Sequence, residues 1–335
     1  MAVEQRNPDT RFRAKAYATA NTGYIIGLIT RGLNREKPVQ NLIIEARINE
    51  YAGREQNPHV PWSPQEIADT AAQCREAGAS IVHFHARAGD GSPEHDIEVY
   101  ADIIQRIKAQ SDILIHPTLG AFANEGDANQ RIEPILTLAK DPATRPHFAP
   151  LDMGTTNIDA YDSAAKTFRS TEAVYTNTTG TLQYFAQQLL GSPVRPYASL
   201  WNVGFTREFL AFIDMGLIAE PAYACLILTG DDLPAAHPGT EQGLAAHKMF
   251  IPEDRNIIWT AMNHGGDLMP LLPGVIKAGG HVSIGLGDWP YLELGSRGEP
   301  PTNAEVVAAV SDISRSDGRE VATPSQAAQV LGVTI

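Results

Sequence analysis

Two histidines stand two residues apart in Ser80-Ile81-Val82-His83-Phe84-His85-Ala86-Arg87, a run rich in β-branched and aromatic side chains. Such a run reads as a strand, and side chains on a strand alternate between its two faces. His83, His85 and Arg87 then share one face, with Val82, Phe84 and Ala86 on the other. Two imidazoles on one face can reach a common divalent ion, and neutral imidazole nitrogen suits zinc. Two ligands do not make a site, however, and a pair of buried histidines satisfied by polar neighbours has the same spacing.

The elements that would position this pair follow from the rest of the chain. Its 335 residues, 43% of them apolar, can bury a sizeable core, and the length permits two domains or one large α/β barrel. A net charge of −13 argues against non-specific binding to nucleic acid or to an anionic membrane surface. No run approaches the ~18 apolar residues of a membrane span, and Met1 to Lys15 lacks the apolar core of a secretion signal. Cys74 and Cys225 form neither a disulfide framework nor a Cys-x-x-Cys site, so the expected location is cytoplasmic.

Residues 1–40 fit no later pattern and read as an arm packed on the body or on a neighbouring subunit. From residue 41 to 335 a single domain is expected. Strands are expected at 42–49, 80–87, 112–118, 147–153, 194–201, 223–229, 257–262 and 281–286. Helices follow at 63–78, 96–110, 131–140, 180–190, 206–216, 240–250, 266–278 and 303–314, with a short one over 322–331. The first helix announces itself at Ser63-Pro64-Gln65-Glu66, an N-cap serine, a proline at the first helical position and a capping-box glutamate. Eight strand–helix units at even spacing predict a closed (β/α)8 TIM barrel. A doubly wound open sheet is the alternative, but no Gly-x-Gly-x-x-Gly follows the first strand. In a barrel the chemistry sits at the C-terminal ends of the strands, which is where His83 and His85 fall.

With these pieces in view, the chain resembles the β-keto acid cleavage enzymes. The resemblance is carried by Pro61-Trp62-Ser63-Pro64-Gln65-Glu66, by Glu76 to Arg87, and by Gly89-Asp90-Gly91-Ser92-Pro93. Asp152-Met153-Gly154-Thr155-Thr156-Asn157, Gly279-Gly280-His281-Val282 and Gly318 to Pro324 extend it over about 42–333. It implies a zinc-bearing barrel, usually oligomeric (a dimer or tetramer), that condenses a β-keto acid with acetyl-CoA and cleaves the adduct to acetoacetate and a new CoA ester. His83 and His85 match the family's zinc histidines. Zinc would chelate the keto and carboxylate oxygens and stabilise the enolate formed when a proton leaves the carbon between them.

The eighth strand departs from the family pattern. It reads His281-Val282-Ser283-Ile284-Gly285-Leu286-Gly287-Asp288. Asp288 matches, but Ser283 stands where the family has an arginine and Gly287 where it has its third zinc ligand, a glutamate. Ser199 on the fifth strand replaces a further active-site glutamate. In a closed barrel strand eight pairs with strand one, whose Glu45, Arg47 and Asn49 share a face. Charges inside a barrel are costly unless they pair or bind something. Strand one is therefore expected to supply what strand eight has lost: Arg47 for the missing guanidinium, and Glu45 as a metal ligand or as Arg47's partner. A plain Glu45–Arg47 salt bridge beneath the site is the other reading.

Asp288 is the expected general base for the carbon proton. Thr118 and Gly120, after the third strand, are expected to hold the substrate carboxylate, and Glu50 in the first loop to read the substrate's far end. Arg87 is expected to orient the histidines or a carboxylate, Asp267 to cap a helix, and Arg297 to meet a phosphate of CoA. A metal-dependent lyase or hydrolase acting on an oxo-carboxylate without acetyl-CoA is the rival function. A barrel that binds metal without turnover is the third reading.

Overall fold

The computed structural model describes residues 40–119, 127–296 and 298–335. The proposed arm up to residue 39, Gly120 and Arg297 lie outside the described residues. Eight parallel strands carry the architecture: β1 Ile44–Arg47, β2 Ile81–Phe84, β3 Leu114–Pro117, β4 Phe148–Asp152, β5 Arg195–Leu200, β6 Ala222–Thr229, β7 Ile257–His264 and β8 His281–Ile284. Each is followed by a helix: α1 Pro64–Ala77, α2 Ile97–Gln110, α3 Ala128–Leu138, α4 Thr179–Leu189, α5 Val203–Asp214, α6 Glu241–Lys248, α7 Leu272–Lys277 and α8 Asn303–Ser316. A last helix, α9 Pro324–Leu331, ends the chain. The fold is the (β/α)8 barrel that the alternation predicts, and residues 40–335 form one compact unit.

The strands pair in the order β3-β2-β1-β8-β7-β6-β5-β4. Strand eight does pair with strand one, and Glu45 lies opposite Ser283. On its other side β1 places Arg47 opposite His83. The seam between β3 and β4 is bridged by one residue. His147 donates its main-chain N–H to the Ile115 carbonyl (2.8 Å), and its Nδ1 accepts from the Ile115 N–H (2.9 Å).

Local signals explain the helices. Ser63 caps α1 and Glu66 closes the capping box, worth on the order of 1 kcal/mol. Its apolar stripe Ile67, Ala68, Ala71 and Cys74 is buried. Asp96, Thr178, Asn202, Thr240, Thr302 and Thr323 cap later helices in the same way. The helix expected over 266–278 is instead a 3-10 turn, Met269–Leu271, followed by the short α7. Pro270 and Pro273 lack the N–H groups that a continuous helix would use there. Asp267 accepts from the Met269 N–H (2.8 Å), a capping role.

Between β4 and α4 the chain makes an excursion that was not expected. Thr156–Asn157 pairs with Val174–Tyr175, and Tyr161–Asp162 with Thr167–Phe168. This excursion contributes one wall of the cavity described below. Among the described residues no helix is long and apolar enough to cross a membrane.

Candidate active site

The sequence places β2 through Arg87, but the ladder stops at Phe84. Asn49 is the reason. Its Oδ1 accepts from the His85 N–H (2.9 Å) and its Nδ2 donates to the His85 carbonyl (2.8 Å). A side-chain amide thus takes both main-chain groups that a neighbouring strand would have used, and it fixes His85 where the chain leaves the barrel. The signal for this was present, since Asn49 shares the inward face of Glu45 and Arg47. Its role was missed.

His83 and His85 come together at the mouth, their ring centroids 5.3 Å apart. Glu50, from the loop after β1, stands between them. Its Oε1 lies 3.1 Å from His83 Nε2 and its Oε2 2.8 Å from His85 Nε2. Arg47 approaches Glu50 Oε1 at 2.6 Å with one guanidinium nitrogen and Asp288 Oδ2 at 3.0 Å with another. Arg47's acidic partners are therefore Glu50 and Asp288; no Glu45–Arg47 bridge forms beneath the site. Glu50 has a φ of +37°, a left-handed conformation that costs a non-glycine residue about 1–2 kcal/mol. Arg87 helps to hold it there, donating to the carbonyls of Glu50 (2.7 Å) and Ala52 (3.1 Å). Arg87 thus clamps the main chain of the Glu50 loop, whereas a contact with the histidines themselves was one of its expected roles.

Glu45 lies deeper and is fully buried. His116 Nδ1 stands 2.6 Å from its Oε1, and the Tyr197 hydroxyl donates to its Oε2 (2.7 Å), as does the Ser283 hydroxyl. Two groups of potential metal donors result, Glu50–His83–His85 and Glu45–His83–His116, with His83 common to both. Burial pulls the His83 pKa down to about 4, which leaves a lone pair free at neutral pH. Burial alone would push Glu50 up, but the Arg47 guanidinium beside it, with the His83 and His85 rings adding to the pull, outweighs burial and holds the carboxyl well below the usual range. Glu45 is held at about 2, burial again being outweighed, chiefly by His116. Imidazole nitrogens beside an ionised carboxylate are a donor set that fits a divalent cation.

These groups open on a cavity of about 500 Å³. Arg47, Glu50, His83, His85, His116, Thr118 and His264 form its polar end. Leu151, Ile158, Leu182, Phe185, Trp201, Ile227, Leu233 and Met262 give it an apolar stretch of wall, and Arg131, Asp152, Asn177 and Ser199 also line it. Thr118 is thus on the wall. Asp288 is not. Its side chain is 1% exposed, and it touches the cavity only through Arg47 and through His264, whose Nδ1 is 3.5 Å from its Oδ1 and whose side chain is 41% exposed. Burial raises the Asp288 pKa, against the pull of Arg47. Arg54 lies outside the site: it donates to the Val60 carbonyl and Glu66 and stacks on Trp62.

Residues 41–333 match the model of the beta-keto acid cleavage enzyme family. The chain belongs to that family. Among curated proteins it is 29% identical over 297 residues to a 3-keto-5-aminohexanoate cleavage enzyme of Fusobacterium nucleatum, covering 88% of this chain and 99% of that one. It is 25% identical over 295 residues to a 3,5-dioxohexanoate:acetyl-CoA acetone transferase of Paraburkholderia graminis, covering 82% and 90%. Among solved structures, the binary complex of ObcA with oxaloacetate superposes with a TM-score of 0.64 at 14% identity, over 83% of this chain and 68% of that one. That likeness shows the barrel fold.

Within this chain, strand eight packs closely on strand one. Gly285 brings β8 so close to β1 that a Cβ there would lie 2.1 Å from the Arg47 carbonyl oxygen. The Gly287 N–H donates to the same oxygen (3.0 Å). Ser283 spends its hydroxyl on Glu45. Arg47 and Glu50 thus bring β1 and the loop that follows it to the polar end of the cavity, beside His83, His85, His116, Thr118 and His264.

Proposed function

We propose that this β-keto acid cleavage enzyme is metal-dependent, with zinc as the resident ion, and that it condenses a β-keto acid with acetyl-CoA. The products are acetoacetate and a CoA ester of the remaining acyl group. The convergence of His83 and His85 with a carboxylate, at the end of a barrel where chemistry is sited, is the observation that carries this reading. The two histidines would hold the ion, which when bound supplies Lewis-acid stabilisation of the enolate.

The chain's own residues do the rest. Arg47, on the cavity wall, is placed to neutralise the substrate carboxylate, and Thr118 lies on the wall to hydrogen-bond it. The proton on the carbon between the two carbonyls leaves through His264, which Asp288 orients from behind. The freed carbon forms a bond to the acetyl carbonyl as CoA thiolate departs. That thiolate then adds to the substrate's keto carbon, the original carbon–carbon bond breaks, and the acetoacetate carbanion released takes back the proton held by His264. The apolar stretch of the cavity wall receives the substrate's side chain.

The rival reading, cleavage of an oxo-carboxylate without acetyl-CoA, is favoured by Ser283, Gly287 and Ser199 standing where charged groups are expected. Incubating the zinc-loaded protein with a panel of β-keto acids, with and without acetyl-CoA, separates the two. We expect acetoacetate and a new CoA ester only when acetyl-CoA is present. Turnover without it selects the rival, and no turnover in either arm contradicts both.

A further inference from the structure

The loop after β1 occupies space that strand eight would otherwise fill. A Cβ placed on Gly287 would stand 2.6 Å from Glu50 Cγ and 2.8 Å from the Glu50 main-chain nitrogen. Real side chains never approach so closely, so any residue larger than glycine at 287 displaces Glu50. In the room this leaves, Glu50 adopts its positive φ and divides its two oxygens between the two histidines. A non-glycine residue held in that conformation by its surroundings is a mark of a functional constraint.

We infer that Glu50 is the third protein ligand of the metal, making the set His83, His85 and Glu50, and that Gly287 exists to admit it. The inference rests on the metal-dependent reading above. Two donors bound to one tetrahedral zinc at 2.0–2.2 Å stand roughly 3.3 Å apart. The Glu50–histidine separations of 3.1 and 2.8 Å are within a small adjustment of that spacing. Two imidazoles and one glutamate leave the fourth position for substrate, as a catalytic zinc requires. Glu50, His83 and His85 all line the cavity, so that position faces it.

Glu45 is the competing carboxylate, and its surroundings count against it. Both of its oxygens are already taken, one by His116 and the other by Tyr197 and Ser283. It does not line the cavity, so an ion there would have no open face toward substrate. Glu50 has Arg47 beside it, and the guanidinium fixes the carboxylate.

The test uses the full-length protein stripped of metal and titrated with zinc, and with cobalt(II) as a spectroscopic probe of the ligand set. We expect one ion per chain for the wild type. Glu50→Gln should weaken zinc binding by at least about 100-fold and shift the cobalt d–d bands, while Glu45→Gln keeps the wild-type bands. Gly287→Ala replaces no ligand but drives its Cβ into Glu50, so it too should weaken binding, by about 10–100-fold. That variant carries the test should Glu50→Gln fail to fold. Wild-type affinity and spectrum in Glu50→Gln, or in Gly287→Ala, overturn the inference alone. A wild type that binds no ion overturns the metal-dependent reading as well.

Discussion

Two sets of histidines stand at opposite ends of the barrel, and they differ in what they face. At the mouth His83, His85 and His116 face carboxylates, Glu50 and Glu45. At the other end His147 faces main chain, and His281 faces main chain and the Arg319 guanidinium. His147 Nδ1 accepts from the Ile115 N–H, and His281 Nδ1 from the Ile43 N–H (2.9 Å) and from Arg319 (3.2 Å). Burial pushes His147 down to about 4 and His281 to about 3, so both are neutral and can accept. The first set gathers negative charge and donor atoms around a cavity. The second closes the strand ladders, replacing hydrogen bonds that the β3–β4 seam and the start of β1 would otherwise lack. Strand direction sorts the two: the ends at which strands finish carry the chemistry, and those at which they begin carry the stability.

Removing a histidine from each end should therefore give opposite phenotypes, and the largest effect belongs to the mouth. His85→Ala should lose its metal and lower kcat/KM by about 10²–10³-fold or more, with little change in melting temperature. Metal analysis and thermal unfolding on the same sample check this. Asp288→Asn should keep its metal and lower kcat by about 10²-fold, because it disables the His264 relay without touching the donors. Loss of metal in that variant would place Asp288 in the coordination sphere instead. Asn49→Ala should cost about 10–100-fold in metal affinity, since it frees the main chain of His85, and zinc titration measures it.

The smallest effect on activity belongs to the other end. His281 has a folded pKa of about 3 against 6.5 in the unfolded chain. Between those values the unfolded chain binds one more proton at this site. Its contribution is thus fully present above about pH 6.5 and declines as pH falls, by at most about 1.4 kcal/mol per pH unit, until the folded group titrates. His281→Asn keeps an acceptor for Ile43 but cannot titrate. Urea midpoints between pH 4 and 6.5 should therefore fall less steeply for this variant than for the wild type, with kcat unchanged at pH 7. An equal slope would show that His281 is not the group being charged.

The same contrast explains how much could be read from the residues in order. The barrel was legible because its signals are local: Ser63-Pro64 with Glu66, the alternation of strands and helices, and the cap residues. The pairing of β8 with β1, and with it the meeting of Ser283 and Glu45, followed from closure. His83 and His85 were legible as a pair because they are neighbours on one face. Glu50 was visible only as a residue near the substrate. Its place between the histidines depends on a left-handed turn at 50, a glycine at 287 on another strand, and clamps from Arg47 and Arg87. None of these is encoded within a window of sequence. Asp288 was legible as a strand-end carboxylate, but its retreat behind Arg47 and His264 was not, because burial of that kind is set by packing between strands.

Crystals of the zinc-loaded protein, measured at the zinc absorption edge, test the central claim most directly. We expect a single anomalous peak at the barrel mouth, within bonding distance of His83 Nε2, His85 Nε2 and a Glu50 carboxylate oxygen. A peak seated among Glu45, His83 and His116, or no peak at the mouth, would contradict it.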